Sequence, residues 1–241
     1  HRHEMIITTK AGYHMWEGPY GQGSSRKMLV TSLEESLQRM HLDYVDIFYS
    51  HRYDGFTPIE ETMQALVDIV RSGKALYVGL SNYPVDRLRE AVAYLKARDV
   101  RPLIYQGKYN MITRDVENGH LEAMNELGMG FTAFSPINQG VLTNKYLNGI
   151  PADSRAGKGN HLQASFITPE LLEKLRELNA MAEQRGQTLA QMATAWILSR
   201  PEVTSVIIGP RTVEQMADSL QCIKSAPFTA EELERINQIL K

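Results

Sequence analysis

The sequence is poor in the features that mark secreted, membrane-spanning and nucleic-acid-binding proteins. Its 241 residues include one cysteine, which excludes an internal disulfide and is typical of a reducing compartment. No apolar run approaches the roughly 20 residues that cross a bilayer, and no signal peptide is expected. The formal net charge of −2 argues against a broad basic surface for nucleic acid or anionic lipid. We therefore expect a cytoplasmic protein with neither kind of partner.

Familiar phosphate-binding and metal-binding motifs are absent or incomplete. No G-x-G-x-x-G follows a predicted strand, so a Rossmann cofactor site is not supported. The segment 18–23 has the glycine spacing of a P-loop, but Ser24 and Ser25 stand where Lys-Ser/Thr should follow. His1 and His3 have the H-x-H spacing of some metal-dependent barrel hydrolases, yet they precede the first predicted strand. Active sites of such barrels lie at the opposite strand ends, so we expect no metal site.

What the sequence does contain is an alternation of strand-like and helix-like segments, which is typical of βαβ units and a parallel sheet. Strands are predicted at 5–9, 44–50, 75–80, 103–106, 130–134 and 204–208. Helices are predicted at 25–40, 58–71, 84–97, 119–127, 168–184, 188–199, 212–222 and 229–240. Residues 139–166, rich in glycine and basic residues, are predicted as a long loop without secondary structure, and such loops in compact domains are usually functional or disordered.

The number of predicted strands leaves two architectures open. An open doubly wound sheet could have six strands, and so could an eight-stranded barrel that lacks two units. The chain begins without methionine and reaches its first predicted strand within a few residues, so we expect a missing N-terminal segment. This expectation favours a single barrel domain over 1–241, whose length is close to the roughly 250 residues of such folds.

Polar residues follow the predicted strands at their carboxyl ends, where parallel α/β folds bind ligands. Each has a structural alternative: Lys10 could be solvated, His51 could be a hydrogen-bonded core histidine, and Ser81 could satisfy strand-end backbone groups. Asp46, inside the second predicted strand, is more often a paired structural acid. Their convergence on one edge nevertheless predicts a site formed by Lys10, His51, Ser81, Asn82, Gln106, Ser135, Gly209 and Arg211.

Four segments together resemble the aldo-keto reductases: IITTK at 6–10, LDYVDIFYSH at 42–51, GKALYVGLSN at 73–82 and FSPINQG at 134–140. The sequence is more similar to the branch that holds the bacterial glyceraldehyde-3-phosphate/methylglyoxal reductases and the potassium-channel β subunits. Segments 13–21, 149–155 and 205–209 favour the bacterial members. The resemblance covers essentially the whole chain. It implies an α/β fold, the (β/α)8 TIM barrel, with the first two βα units missing from this chain.

The resemblance implies an NADPH-dependent reductase of small aldehydes and ketones, such as glyceraldehyde 3-phosphate or methylglyoxal. The family uses an Asp, Tyr, Lys and His tetrad, of which Lys10 matches the lysine and His51 the histidine. The aspartate and the proton-donating tyrosine would lie outside this sequence. A lysine cation lowers the tyrosine pKa from near 10, and a histidine holds the substrate oxygen. Channel β subunits often have asparagine in place of His51, so a cofactor-binding regulatory subunit is the alternative.

The resemblance also assigns the residues that bind the cofactor, which we expect to be NADP(H). Asp218 and Ser219 depart from the family, which commonly has Glu and Asn there. Arg211 precedes a predicted helix N-terminus, and this pair suits the 2′-phosphate that distinguishes NADP from NAD. A homo-oligomer is compatible with the sequence. The implied contacts are the carboxamide with Ser81, Asn82 and Gln106, the nicotinamide ring with Phe134, the pyrophosphate with Ser135, Pro136, Ile137, Gly140, Lys145 and Arg155, and the adenosine end with Gly209, Arg211, Gln215, Asp218 and Ser219.

Overall fold

The computed structural model describes residues 1–159 and 162–241. Within them, six β-strands alternate with eight α-helices, as the sequence predicts. The strands are β1 (Thr8–Ala11), β2 (Val45–Ser50), β3 (Ala75–Ser81), β4 (Ile104–Lys108), β5 (Gly130–Phe134) and β6 (Val203–Val206). The helices are α1 (Arg26–Met40), α2 (Ile59–Arg71), α3 (Val85–Lys96), α4 (His120–Leu127), α5 (Pro169–Gln184), α6 (Leu189–Leu198), α7 (Val213–Leu220) and α8 (Ala230–Leu240).

The strand order distinguishes the two architectures left open by the sequence. The strands follow one another in the hydrogen-bonded order β1-β2-β3-β4-β5-β6, and the pairs β1–β2, β2–β3 and β3–β4 are parallel. A doubly wound sheet reverses its order at a switch point, whereas a (β/α)8 barrel adds each strand next to the previous one. The α/β fold is therefore that of a partial (β/α)8 barrel.

The chain divides into two compact units. The first comprises His1–Gly107 with Gly119–Phe131, and the second comprises Lys108–Asn118 with Thr132–Lys241. A single domain over 1–241 stays a prediction. No helix in the described part of the chain is long and apolar enough to cross a membrane.

The first unit is held together by helices that bury one apolar stripe each. On α1, Met28, Leu29 and Leu33 are buried at helical spacing, and Ser25 caps the helix by accepting a hydrogen bond from the Met28 N–H. Burying a side chain of this size contributes about 1.5–3 kcal/mol. α2 ends at Arg71, two residues before Gly73, whose φ of +75° turns the chain into β3.

The second unit has the capped helices that its sequence predicts. Thr168 caps α5, with Pro169 in the first turn, and Thr229 and Glu232 form a reciprocal capping box at α8. Met181 of α5 and Met192 of α6 are buried, as expected of core residues. The only cysteine in the sequence, Cys222, lies just after α7, where it is a free and buried thiol.

Several predicted boundaries differ from the structure. β1 spans Thr8–Ala11 rather than 5–9, so Lys10 lies inside the strand and not after it. β4 spans Ile104–Lys108 rather than 103–106, so Gln106 lies inside the strand and not at its end. β6 spans Val203–Val206 rather than 204–208, so Gly209 does not directly follow the strand. The loop predicted at 139–166 is not structureless, because 3-10 turns form at Asn138–Gly140, Asn144–Tyr146 and Ala164–Phe166. Residues 160 and 161 of that prediction lie outside the described residues.

Candidate active site

A row of three residues crosses β1, β2 and β3 in the first unit. Lys10 pairs in register with Tyr49, and Tyr49 pairs with Gly79. Residues in register on parallel strands project from the same face of a sheet, so Lys10 and Tyr49 share a face. Glycine is required at 79, because a Cβ there would lie 2.4 Å from the Tyr49 Cε1. The absence of a side chain at Gly79 thus makes room for the Tyr49 ring.

Lys10 and Gln106 are joined by a hydrogen bond on this face. The Lys10 Nζ donates to the Gln106 Oε1 at 3.1 Å and lies 5.7 Å from the centroid of the Tyr49 ring. Burial lowers the pKa of the Lys10 ammonium, and burial also raises the pKa of Tyr49 to about 12, against the effect of its hydrogen bond with Gln106. The Lys10 side chain therefore lies in a poorly solvated place, where its ammonium form would stabilise a neighbouring negative charge.

His51 directly follows β2, and its backbone N–H donates to the Ala11 carbonyl at 2.8 Å. Burial lowers its pKa to about 4, with further lowering by the nearby charges of Lys10 and Arg52. The imidazole is thus neutral near pH 7, with one ring nitrogen that donates and one that accepts. The Tyr13 ring meets it edge-on at 4.5 Å between centroids.

Asn82 fastens the end of β3 to the end of β2. Its backbone takes a φ of +53°, in the left-handed region that asparagine tolerates better than most residues. The Asn82 Nδ2 donates to the His51 carbonyl at 3.0 Å and to the Ser81 Oγ at 3.1 Å. Ser81 is fully buried and stands in register with Gln106. The first unit therefore brings together Lys10, His51, Ser81, Asn82 and Gln106.

The sequence analysis missed three residues of this cluster: Tyr13, Tyr49 and Arg52. The alternation of side chains along β2 indicates that Tyr49 lies on the same face as Ile47, and both belong to a buried cluster with Ile104. Arg52 stands beside a strand-end histidine, which was the available signal for it. Its Nε donates to the Gly12 carbonyl at 2.9 Å, and its Cζ lies 4.9 Å from the Tyr13 ring centroid.

In the second unit, the segment after β5 has an unusual backbone. Ser135, Asn138 and Gln139 all have positive φ, although none is a glycine. Such conformations cost on the order of 1–3 kcal/mol each and concentrate at functional sites. The Asn110 Nδ2 supports the turn by donating to the Ser135 carbonyl at 3.0 Å. The Asn138 side chain is buried, and its Nδ2 has no hydrogen-bond partner among the described residues.

The other residues of this segment that were predicted to bind the cofactor lie just before, within or after the strained turn. Phe134, Ser135 and Ile137 are half-buried, and Pro136 is buried. Gly140 has a φ of +97°, with no atom within 4 Å of the position that a Cβ would take. Exposed basic side chains follow at Lys145, at the centre of a 3-10 turn, and at Arg155.

The start of α7 holds the last group of predicted residues. Thr212 caps the helix by accepting from the Gln215 N–H, while the Gln215 Oε1 accepts from the Arg211 N–H at 2.8 Å. The Arg211 side chain is exposed, as is Gly209, and Ser219 is half-buried. The Asp218 Oδ1 accepts from the Gln191 Nε2 at 2.7 Å, so Asp218 has a protein partner.

Among the described residues, no group of three or more His, Cys, Asp or Glu residues could hold a metal ion. His1 directly precedes the short 3-10 turn Arg2–Glu4, and His3 lies inside this turn, which comes before β1.

Consecutive parallel strands with a lysine, a histidine and amide side chains at or near their carboxyl ends are the arrangement in which α/β barrels form their active sites. The chain belongs to the Aldo/keto reductase family, whose profile matches residues 1–241. It is 49% identical over 243 residues to a protein of Escherichia coli (strain K12) named L-glyceraldehyde 3-phosphate reductase, which covers 99% of this chain and 70% of that protein. These matches confirm the predicted family, and they support an oxidoreductase.

Two further relatives come from eukaryotes. A probable voltage-gated potassium channel subunit beta of Oryza sativa subsp. japonica is 36% identical over 248 residues, covering 100% of this chain and 75% of that protein. A putative voltage-gated potassium channel subunit beta of Schizosaccharomyces pombe (strain 972 / ATCC 24843) is 35% identical over 250 residues, covering 99% and 72%. The predicted branch of the family is thus represented on both sides, by a reductase and by proteins named as channel subunits.

Proposed function

We propose that this protein is an NADPH-dependent reductase of small aldehydes and ketones, of the glyceraldehyde 3-phosphate or methylglyoxal type. The observation that carries the proposal is the half-buried Lys10, whose Nζ donates to the Gln106 Oε1 at 3.1 Å, together with His51 directly after β2, where burial and the charges of Lys10 and Arg52 lower the imidazole pKa to about 4. The reductase name of the bacterial relative supports the same assignment.

The two side chains have separate tasks in a carbonyl reduction, which adds a hydride to carbon and a proton to oxygen. His51 is neutral near pH 7 and donates a hydrogen bond to the substrate oxygen, which orients the carbonyl. Lys10 stabilises the phenolate of the family's proton-donating tyrosine and so lowers its pKa toward the working range. The family resemblance implies that this tyrosine lies outside the 241 residues, and the proposal keeps it there.

The residues present fit a nicotinamide cofactor. An unpartnered buried donor at Asn138 and an open backbone at Gly140 suit an oxygen-rich ligand such as a pyrophosphate. Such a cofactor supplies the hydride when bound. In the first unit, Ser81, Asn82 and Gln106 are the residues we propose for the carboxamide. In the second unit, the proposed residues are Phe134 for the ring, Ser135, Pro136, Ile137, Gly140, Lys145 and Arg155 for the pyrophosphate, and Gly209, Arg211, Gln215, Asp218 and Ser219 for the adenosine end. Asp218 fits least well, because it already accepts from Gln191.

Single-turnover kinetics test the proposal. The protein is loaded with one equivalent of NADPH, and the loss of cofactor fluorescence is followed after mixing with glyceraldehyde 3-phosphate, methylglyoxal or buffer. We expect fast oxidation with at least one aldehyde. NADPH that binds but is not oxidised faster than in buffer would contradict the reductase and support a cofactor-binding regulatory subunit. That second function is favoured by the eukaryotic relatives, and His51, where channel β subunits often have asparagine, favours the enzyme.

The cellular location belongs to the same proposal. Cys222 is a free thiol, and burial raises its pKa, which disfavours the reactive thiolate. We propose that the protein works in the cytoplasm, where thiols stay reduced.

A further inference from the structure

Arg52 is held on two sides next to His51. Its Nε donates to the Gly12 carbonyl at 2.9 Å, and its guanidinium carbon lies 4.9 Å from the centroid of the Tyr13 ring. The same Tyr13 ring meets the His51 imidazole edge-on at 4.5 Å. The backbone is packed closely here as well, since a Cβ on Gly12 would lie 3.1 Å from the His51 Cβ. The guanidinium is therefore positioned by its neighbours and not by solvent alone.

The charge around His51 is unbalanced. Lys10 and Arg52 both contribute to lowering the pKa of the imidazole, so two cations lie near a neutral ring. In residues 1–159 and 162–241, neither cation forms an ion pair with a carboxylate. Positive charge without a protein counter-ion favours a ligand that brings negative charge.

The acid nearest to Arg52 in sequence is occupied elsewhere. Asp54 accepts hydrogen bonds from the Ser24 N–H at 2.7 Å, from the Phe56 N–H at 3.1 Å, and from the N–H and hydroxyl of Thr57 at 2.9 and 2.7 Å. It therefore stabilises the turn after Arg52 rather than neutralising the guanidinium. The Ser24 Oγ donates to the Arg52 carbonyl at 2.7 Å, which fixes the Arg52 backbone to the same turn.

The guanidinium keeps unused donors. Only its Nε donates to a described residue, and an arginine carries four further N–H groups on its two terminal nitrogens. Two parallel N–H groups match a phosphate or carboxylate in bidentate fashion, which a lysine cannot do. A purely structural clamp on Gly12 would need the Nε alone.

We propose that Arg52 binds the anionic group of the substrate, and that it selects phosphorylated aldehydes over neutral ones. The inference rests on the proposed function, since His51 would hold the carbonyl oxygen of the same molecule. Phosphate binding by Arg52 accounts both for the absence of a protein counter-ion and for the fixed orientation of the guanidinium. It also gives the site a way to distinguish glyceraldehyde 3-phosphate from methylglyoxal, which carries no charge.

Two substitutions at Arg52 separate recognition from folding. Arg52→Gln removes the charge, while Arg52→Lys keeps a charge but loses the planar fork. Arg101→Gln removes the same charge from an exposed arginine just before β4, far from the carboxyl strand ends, and serves as the matched control. Thermal melts of the three variants verify that each is folded before binding is compared.

The first measurement is kcat/KM for glyceraldehyde 3-phosphate and for unphosphorylated glyceraldehyde. We expect Arg52→Gln to lower the value for the phosphorylated aldehyde about ten- to a hundredfold, mainly through KM, because charged hydrogen bonds are among the stronger ones. The value for glyceraldehyde should change little, and Arg52→Lys should recover part of the loss. An equal loss for both aldehydes would show that Arg52 only clamps the loop, and would overturn the proposal.

The second measurement does not depend on turnover. Calorimetric titration with glycerol 3-phosphate and with glycerol compares a charged and a neutral compound, neither of which can be reduced. We expect glycerol 3-phosphate to bind the wild type and the Arg101→Gln control alike, and to bind Arg52→Gln at least tenfold more weakly. Unchanged binding in Arg52→Gln would overturn the inference. A wild type that binds glycerol 3-phosphate through Arg52 but reduces no aldehyde would contradict the proposed function and leave anion binding supported.

Discussion

At the scale of single residues, the effect of the Lys10 charge can be tested separately from the packing of its side chain. The Lys10 stem lies on the same face as Tyr49, and its Nζ reaches Gln106. Lys10→Met keeps an apolar side chain of similar length and removes the ammonium. In an enzyme that includes the proton-donating tyrosine, we expect turnover to fall about 10²–10⁴-fold, the usual contribution of acid–base assistance, while NADPH affinity measured by fluorescence titration is retained. Lys96→Met, on the exposed face of α3, is the control, and near-normal turnover in Lys10→Met would remove Lys10 from the mechanism.

Arg211 allows an equally direct test of cofactor choice. It precedes the capped start of α7, and its exposed guanidinium forms no ion pair with a carboxylate in the described ranges. A 2′-phosphate would find there a guanidinium and the partial positive charge of a helix N-terminus. We expect Arg211→Ala to weaken NADPH binding about ten- to a hundredfold and to leave NADH binding nearly unchanged. Equal losses for both cofactors would exclude phosphate recognition, and exposed Arg235→Ala controls for net charge.

The candidate site was predictable where polar residues lie at or near the carboxyl ends of strands. Ser81 ends β3, His51 and Asn82 directly follow β2 and β3, and Lys10 and Gln106 lie inside β1 and β4. Parallel strands bring such residues to one edge. Asp46 also behaves as its strand position suggested, because it accepts from the Ile7 N–H and pairs with Arg2 at 2.8 Å each.

The position of Arg52 beside His51 was a signal in the sequence, but its contact with Tyr13 was not predictable. Their contact joins the loop after β1 to the loop after β2, and no periodicity in a sequence records contacts between loops. The cofactor contacts in the second unit, from Phe134 to Ser219, remain predictions.

At the scale of the elements, the helices were easier to predict than the strands. Ser25, Thr168, Thr188, Thr212 and Thr229 each cap a helix, so local chemistry marks the helix starts. β1 was placed too early because Met5 and Ile6 are apolar, yet both are exposed. The turns within 139–166 were missed because 3-10 segments of three residues are too short to show a period.

The contact between β2 and β3 leads to a prediction about stability. A methyl group at 79 would lie 2.4 Å from the Tyr49 Cε1, so that the ring or the strand must move. We expect Gly79→Ala to destabilise the protein by about 1–3 kcal/mol, as overpacking of a core does, measured by urea unfolding. In a Tyr49→Ala background the same substitution should cost far less. An equal cost in both backgrounds would show that the Tyr49 ring is not the obstacle.

At the scale of the whole molecule, three half-buried groups should make the fold sensitive to acid. The pKa of His51 is lowered from 6.5 to about 4 by burial and by the cations beside it. Burial acts to raise the pKa of Asp54 and of Glu117, but hydrogen bonds from Thr57 and Arg114, respectively, lower both below their ordinary values. In each case the unfolded chain binds protons at a higher pH than the folded one, so protons favour unfolding.

We expect the free energy of unfolding to decrease as the pH is lowered, over two overlapping pH ranges. Between about pH 6.5 and pH 4 the unfolded chain takes up a proton at His51 that the folded protein does not bind, and the stability falls. Below the ordinary carboxyl values of 3.8 and 4.5 the stabilised carboxylates add to the loss. Urea titrations at fixed pH measure this slope. His51→Gln should flatten the upper range and Asp54→Asn the lower one, and an unchanged slope in His51→Gln would contradict the assignment.

Cys222 is the single cysteine in the sequence, so a thiol reagent can label the native protein at one known position. A reagent such as dithionitrobenzoate can react at one position only, and that position is closed while the turn after α7 stays packed. At low reagent concentration, the labelling rate therefore reports how often this part of the second unit opens, and no engineered probe is needed. If labelling slows when NADPH is added, ligand occupancy and local opening are linked through the α7 region, and the size of the slowing gives the free energy of that link.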